Sequence, residues 1–240
     1  MSTRARVDNE TAFLLHSYPW RETSLIVEMF SREHGRVPMV AKGARRTGSA
    51  LRGVLMAFQP LELTWSGKGE VKTLHSASWQ GGQALLGGIG LLCAYYLNEL
   101  LLRLLPREDA HPALFGVYAT TLARLAAGQS HEPLLRGFEL ELLRETGYAP
   151  TLDFLADTGE AVQAEGEYIY LLERGLIEAG VEADGLPKLP GRALLAMARG
   201  DFSAVETLMH AKGLMRRLIQ FQLGGQVLES RRVLVELQAL

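Results

Sequence analysis

The chain has a single cysteine, Cys93, so no intrachain disulfide can form and a reducing compartment is the natural setting. No apolar signal region opens it; the first residues read Met1-Ser2-Thr3-Arg4-Ala5-Arg6-Val7-Asp8. The longest apolar run, Ala84 to Leu97, falls short of the roughly 20 residues that a helix needs to cross a bilayer. Catalytic signatures are missing as well. Gly88-Ile89-Gly90 follows no strand and lacks the third glycine of a dinucleotide fingerprint. Gly67-Lys68-Gly69-Glu70 lacks the glycine spacing and the hydroxyl of a Walker A loop. The histidines (His16, His34, His75, His111, His131 and His210) stand in no metal-ligand spacing. Glu139, Glu141 and Glu145 share a helix without a histidine and read as a solvated surface, and Cys93 beside Leu92 reads as a small buried hydrophobe. The expectation is a cytoplasmic protein that is not an enzyme and carries no cofactor.

One absence is local. From His34 to Leu61 there is no Asp or Glu, while Arg36, Lys42, Arg45, Arg46 and Arg52 all fall in that window. The whole chain carries −2, but residues 1–80 hold 11 Lys and Arg against 7 Asp and Glu, and residues 81–240 hold 14 against 20. A cationic, glycine-punctuated loop in a positive half suits a polyanion whose backbone is tracked without reading each base. Lys68 and Lys72 add to the same half.

Hydrophobic periodicity divides the chain in the same place. Phe13–Tyr18, Ser24–Phe30, Arg36–Ala41, Pro60–Trp65 and Val71–His75 read as five short strands separated by turn residues, which predicts a small barrel. Pro38 lacks a ladder donor and belongs at an edge or bulge. From about residue 82 the period becomes helical, predicting helices over 84–105, 113–127 and 132–146. Residues 148–189 are richer in Gly, Pro and acids and read as an insert bearing a hairpin, with Glu167–Leu171 as its clear strand. Helices follow over 191–198, 202–223 and 226–240. The predicted fold is a two-domain α+β chain: a five-stranded barrel of the oligonucleotide-binding (OB) type over 1–80, then a helical domain over 81–240.

Aromatic rings within the barrel are the second ingredient of a single-strand site, because bases stack on them whatever the sequence. Phe58 and Trp65 read as core fillers, and Trp20, after Pro19, as the exposed ring. The residues alone leave three other readings open: an OB-type RNA-binding or translation-associated module, a hydrolase with dispersed catalytic residues, and a protein-binding scaffold.

Several ordered motifs carry a resemblance. Phe13-Leu14-Leu15-His16-Ser17, Pro19-Trp20-Arg21-Glu22-Thr23-Ser24-Leu25, Gly35-Arg36-Val37 and Val40-Ala41-Lys42-Gly43-Ala44-Arg45 resemble the bacterial recombination mediator RecO family. So do Gly69-Glu70-Val71-Lys72-Thr73-Leu74, Tyr96-Leu97-Asn98-Glu99-Leu100-Leu101, Glu132-Pro133-Leu134-Leu135-Arg136-Gly137-Phe138-Glu139, Gly147-Tyr148 and Gly224-Gly225. The resemblance spans almost the whole chain. It implies an N-terminal OB-fold, binding of single- and double-stranded DNA, annealing of complementary strands, and action with RecR to help RecA onto DNA coated by single-stranded DNA-binding protein (SSB), close to the nucleoid. It also implies contact with the acidic, apolar tail of SSB, for which Arg136 with Leu135 and Phe138, and Arg216 beside Arg217, are the candidates. Many relatives hold zinc with four cysteines in the insert; here Leu155 and Thr158 stand where the first pair falls, and the second pair, near Ala179, is absent. No zinc is expected, and Tyr168, Tyr170, Leu172 and Ile177 are expected to hold the insert by packing.

Overall fold

The computed structural model of the chain describes residues 6–180 and 185–238. Alternating side chains build its first half. β1 (Arg6–Trp20), β2 (Ser24–Ser31) and β3 (Gly35–Ala41) are joined by short turns, and β4 (Pro60–Ser66) and β5 (Lys72–Trp79) form a hairpin. β1 pairs antiparallel with both β2 and β4, β3 pairs with β2 and, in parallel, with β5, and β5 pairs with β4. The order β1-β2-β3-β5-β4 therefore closes on itself as a barrel. Ala12, Leu14, Val27, Met29, Val37, Met39, Leu61, Leu63, Trp65 and Leu74 fill its interior. Phe58 is buried too.

β1 is far longer than the predicted Phe13–Tyr18 because it serves two neighbours: its first half pairs with β4 and its second with β2, across a bulge at Leu14/His16. Pro38 is on no edge strand: it lies opposite Glu28 of β2, one residue before β5 joins the other side of β3 at Met39. A short helix, α1 (Ala50–Val54), interrupts what the sequence reads as plain loop.

Helices cover part of the barrel's outer face. Phe13 and Phe30 point away from the interior onto Phe115 and Tyr118, with ring centroids 5.2–5.8 Å apart. Those rings belong to α3 (Pro112–Ala126), which has proline in its first turn, as helix starts favour. α2 (Gly88–Leu104) crosses beside it, and its fully buried Asn98 donates to the Leu15 carbonyl at 2.8 Å while accepting from the Tyr118 hydroxyl at 2.5 Å. An unmet buried polar group costs about 1–3 kcal/mol, so this bridge fixes α2 and α3 on β1. Gly35 is a further tie: at φ +64° it lies so close to the Asp109 carbonyl that a Cβ would approach it to 1.9 Å.

Packing accordingly divides the chain elsewhere than at residue 80. One compact unit comprises 1–129 with 228–240, so it takes in α2, α3 and the last helix, α7 (Glu229–Gln238); the other comprises 130–227. The second unit holds α4 (His131–Glu145), the sheet β7-β6-β8 made by β6 (Glu167–Leu171), β7 (Gly175–Glu178) and β8 (Leu189–Pro190), and the helices α5 (Gly191–Ala198) and α6 (Val205–Gln222). The β6–β7 hairpin lies in the expected insert. Leu155, Tyr168 and Tyr170 are buried in one cluster with α4, α5 and α6, and Leu172 packs at its margin. Ile177 packs with Ile169 in a separate small cluster. Among the described residues no three His, Cys, Asp or Glu side chains gather as a metal site requires, and no helix is long and apolar enough to cross a membrane.

Candidate nucleic-acid interface

Hydrogen bonds join the β1–β2 turn and the loop from β3 to α1 into one surface. Ala44 is buried and anchors the loop, while turn bonds from Arg46 N–H to the Gly43 carbonyl (3.0 Å) and from Ser49 N–H to the Arg46 carbonyl (3.1 Å) shape it. Gly43, at φ +69°, adopts the left-handed conformation that this bend needs. Arg45 ties the loop to the β1–β2 turn: its backbone N–H donates to the Thr23 carbonyl at 2.9 Å and its guanidinium to the Glu22 carbonyl at 3.4 Å. Lys42, Arg45, Arg46 and Arg52 are all exposed. Arg21, next to Trp20, adds an exposed cation at the same turn.

Register brings rings to these charges. Trp20 lies opposite Ser24, and Leu25 opposite Ala41, so the next step of the ladder sets Lys42 level with Ser24 and Trp20. Because side chains two apart on a strand share a face, His16, Tyr18 and Trp20 form one row. Tyr18 is 39% and Trp20 43% exposed, His16 is exposed, and the His16 and Tyr18 rings lie 6.1 Å apart. Sequence reasoning singled out Trp20 alone; the period-two run His16-Ser17-Tyr18-Pro19-Trp20 carried the signal for the other two rings.

Other cations of the positive half are spent elsewhere. Arg36 is a correction: its side chain is only 14% exposed, lies 3.8 Å from the buried Glu28, and donates to the Leu102 carbonyl of α2. Arg107 pairs with the same carboxylate. Burial lowers the Arg36 pKa, Glu28 opposes this, and Arg107 adds to it. Arg36 therefore locks the barrel to α2 and presents no charge to a phosphate. Lys72 is also largely covered, donating to the Gly69 carbonyl at 2.8 Å and pairing with Glu108. Lys68 is exposed, on the β4–β5 turn and away from the β1–β2 turn in the ladder.

The partner candidates separate likewise. Phe138 is buried in the core and Leu135 half-buried. Arg136, 12% exposed, donates at 2.5 Å to Glu139, a buried carboxylate in place of the expected solvated one. Arg216 is exposed on α6, whereas Arg217 donates to the Tyr170 carbonyl.

A second structural carboxylate went unread in the sequence. Glu99 of α2 accepts from the backbone N–H groups of Glu229 and Ser230, each at 2.9 Å, and from the Ser230 hydroxyl at 2.6 Å. It caps the start of α7, where helix N–H groups lack partners. Burial pushes its pKa up, but these hydrogen bonds and Arg103 outweigh that and hold it below the usual carboxylate range. Burial also raises the pKa of the Tyr118 phenol.

The site's surroundings match one family from end to end. Residues 6–82 match the model of the recombination protein O N-terminal region, and residues 88–232 that of its C-terminal region. The chain is 58% identical over its whole length to the DNA repair protein RecO of Aromatoleum aromaticum, and 55% identical to that of Azoarcus sp. strain BH72, covering all of each relative. It is 52% identical to that of Ralstonia nicotianae over 98% of this chain and 86% of the relative. The chain belongs to the RecO family of DNA repair proteins.

Proposed function

We propose that the barrel is an OB-fold that binds single- and double-stranded DNA, and that the protein is a mediator of repair and recombination without catalytic chemistry of its own. The observation that carries this reading is the row His16, Tyr18, Trp20 with Lys42 level with Trp20 and Arg45 tied to the same turn, and with Arg46 and Arg52 exposed farther along the basic loop and on α1. Rings stack bases regardless of sequence, and cations neutralise phosphates. Such a surface holds two strands with less mutual repulsion and leaves their match to base pairing, which is what annealing demands. The family membership supports RecR, SSB and RecA as partners at the nucleoid, with RecA loaded onto SSB-coated strands. Arg216 is the cation we assign to the SSB tail, since Arg136 is already held by Glu139. The insert is held by apolar packing in place of zinc: Leu155, where relatives have a thiolate, lies in the core.

Salt titration tests the DNA reading. Replacing Lys42, Arg45 and Arg46 with Ala should weaken binding to a single-stranded oligonucleotide and flatten its salt dependence by about two units of log–log slope, at roughly 0.7 per phosphate contact. An unchanged slope would place the phosphates elsewhere. Competition between DNA and RNA oligomers of equal length separates the repair reading from an RNA-binding module.

A further inference from the structure

A pocket of about 390 Å³ opens where β1 emerges from beneath α2, bounded by α2 and α7. Its apolar wall includes Leu15, Leu92, Tyr95, Leu102 and Val233, and His16 lines it too. His16 is also the last member of the exposed aromatic row. We infer that this pocket receives one unstacked nucleobase from a single strand lying along His16, Tyr18 and Trp20, an inference that rests on the DNA-binding reading above.

Three observations argue for that occupant. Alternate residues of a strand rise by about 6.8 Å, twice the roughly 3.4 Å between stacked bases of one strand. The 6.1 Å between the His16 and Tyr18 rings is of that order. A strand following the row therefore has its bases parted from one another, and the base beyond His16 has lost its stacking neighbour. Next, the pocket offers that base apolar contact and a ring: Tyr95 is 50% exposed and stands edge-on to Phe58, their centroids 5.0 Å apart. Base-holding pockets use aromatic and apolar walls of this kind. Finally, charge excludes the phosphate alternative. The carboxylates of Glu99 and Glu229 flank the pocket, and Arg103, the one Lys or Arg among its described lining residues, lies 3.5 Å from Glu99. Asn98 is committed to Leu15 and Tyr118, so base recognition here is by shape and stacking.

The test compares two oligomers of equal length and charge, an oligothymidylate and one made entirely of abasic nucleotides. Tyr95→Ala removes the ring, and Val233→Trp fills the pocket from a half-exposed position on α7 without relying on loss of Tyr95. Each variant should weaken oligothymidylate binding about tenfold and leave the abasic oligomer and the salt slope unchanged. The pocket inference is overturned if either variant binds oligothymidylate like the parent, or loses equally on both oligomers. The Lys42, Arg45 and Arg46 triple variant is run alongside. If it weakens both oligomers while a pocket variant weakens neither, the interface stands and the pocket falls. If it changes neither, the DNA reading itself fails.

Discussion

Arg36 and Arg45 carry the same guanidinium within one acid-free window, yet they do opposite work. Arg45 is exposed beside the β1–β2 turn, whereas Arg36 is enclosed by Glu28 and the Leu102 carbonyl. Replacing Arg36 with Ala should lower stability to chemical denaturation by about 1–3 kcal/mol, since it leaves a buried carbonyl unmet and removes one cation from Glu28. The salt slope of DNA binding should not move; a flatter slope in that variant would return Arg36 to the interface. The two roles could not be told apart in the sequence, because Arg36's partners come from another strand and from α2, far along the chain. Lys72 misled for the same reason, its cover coming from Glu108. The exposure of Lys42, Arg45, Arg46 and Trp20 was legible, because a turn's own Gly and charge pattern keeps its side chains outside.

At the scale of elements, period was a good guide to type and a poor guide to partner. Alternation located the five strands, and helical spacing located α2 to α6 to within a few residues at each end. Period does not say which neighbour a buried outer face meets: Phe13 and Phe30 pack on α3, beyond residue 80, although the family matches themselves divide at 82–88. α1 is too short to show a period at all. The docking of α7 was likewise unreadable, since it hangs on Glu99. That carboxylate's pKa is lower folded than unfolded. Its contribution is fully present above the unfolded carboxylate value of about 4.3 and is lost as the pH falls through the lowered folded value. Hydrogen exchange of the first-turn amides of α7 should therefore quicken selectively on acidification below about pH 4.3, once corrected for intrinsic rates. Glu99→Gln should exchange fast at neutral pH and lose that acid dependence. Protection that is the same in the variant and the parent would show that other contacts hold α7.

For the whole molecule, charge separates with the packing units to the same net values as it does across residue 80 of the sequence. The unit containing the barrel has 16 Lys and Arg against 12 Asp and Glu, and residues 130–227 have 9 against 15. A net of +4 against −6 favours the first unit for the proposed DNA contact and the second, which repels phosphates, for the proposed protein partners. The acidic tail proposed as a partner would need a local cation on that second unit, and the exposed Arg216 is the one proposed for it. The proposed role of Arg216 can be tested apart from folding, whereas Arg136 is paired with the buried Glu139. Arg136→Ala removes the cation from the buried Glu139, a change that costs about 3–5 kcal/mol for a broken buried pair, and should depress annealing of bare and SSB-coated strands alike, with a lower melting temperature. Arg216→Glu touches no such pair. It should anneal bare complementary oligonucleotides at the parent rate and SSB-coated ones about tenfold more slowly, with an unchanged melting temperature. Parent-like annealing of coated strands by that variant would remove Arg216 from the tail site and turn the search to the half-buried Leu135 side of α4.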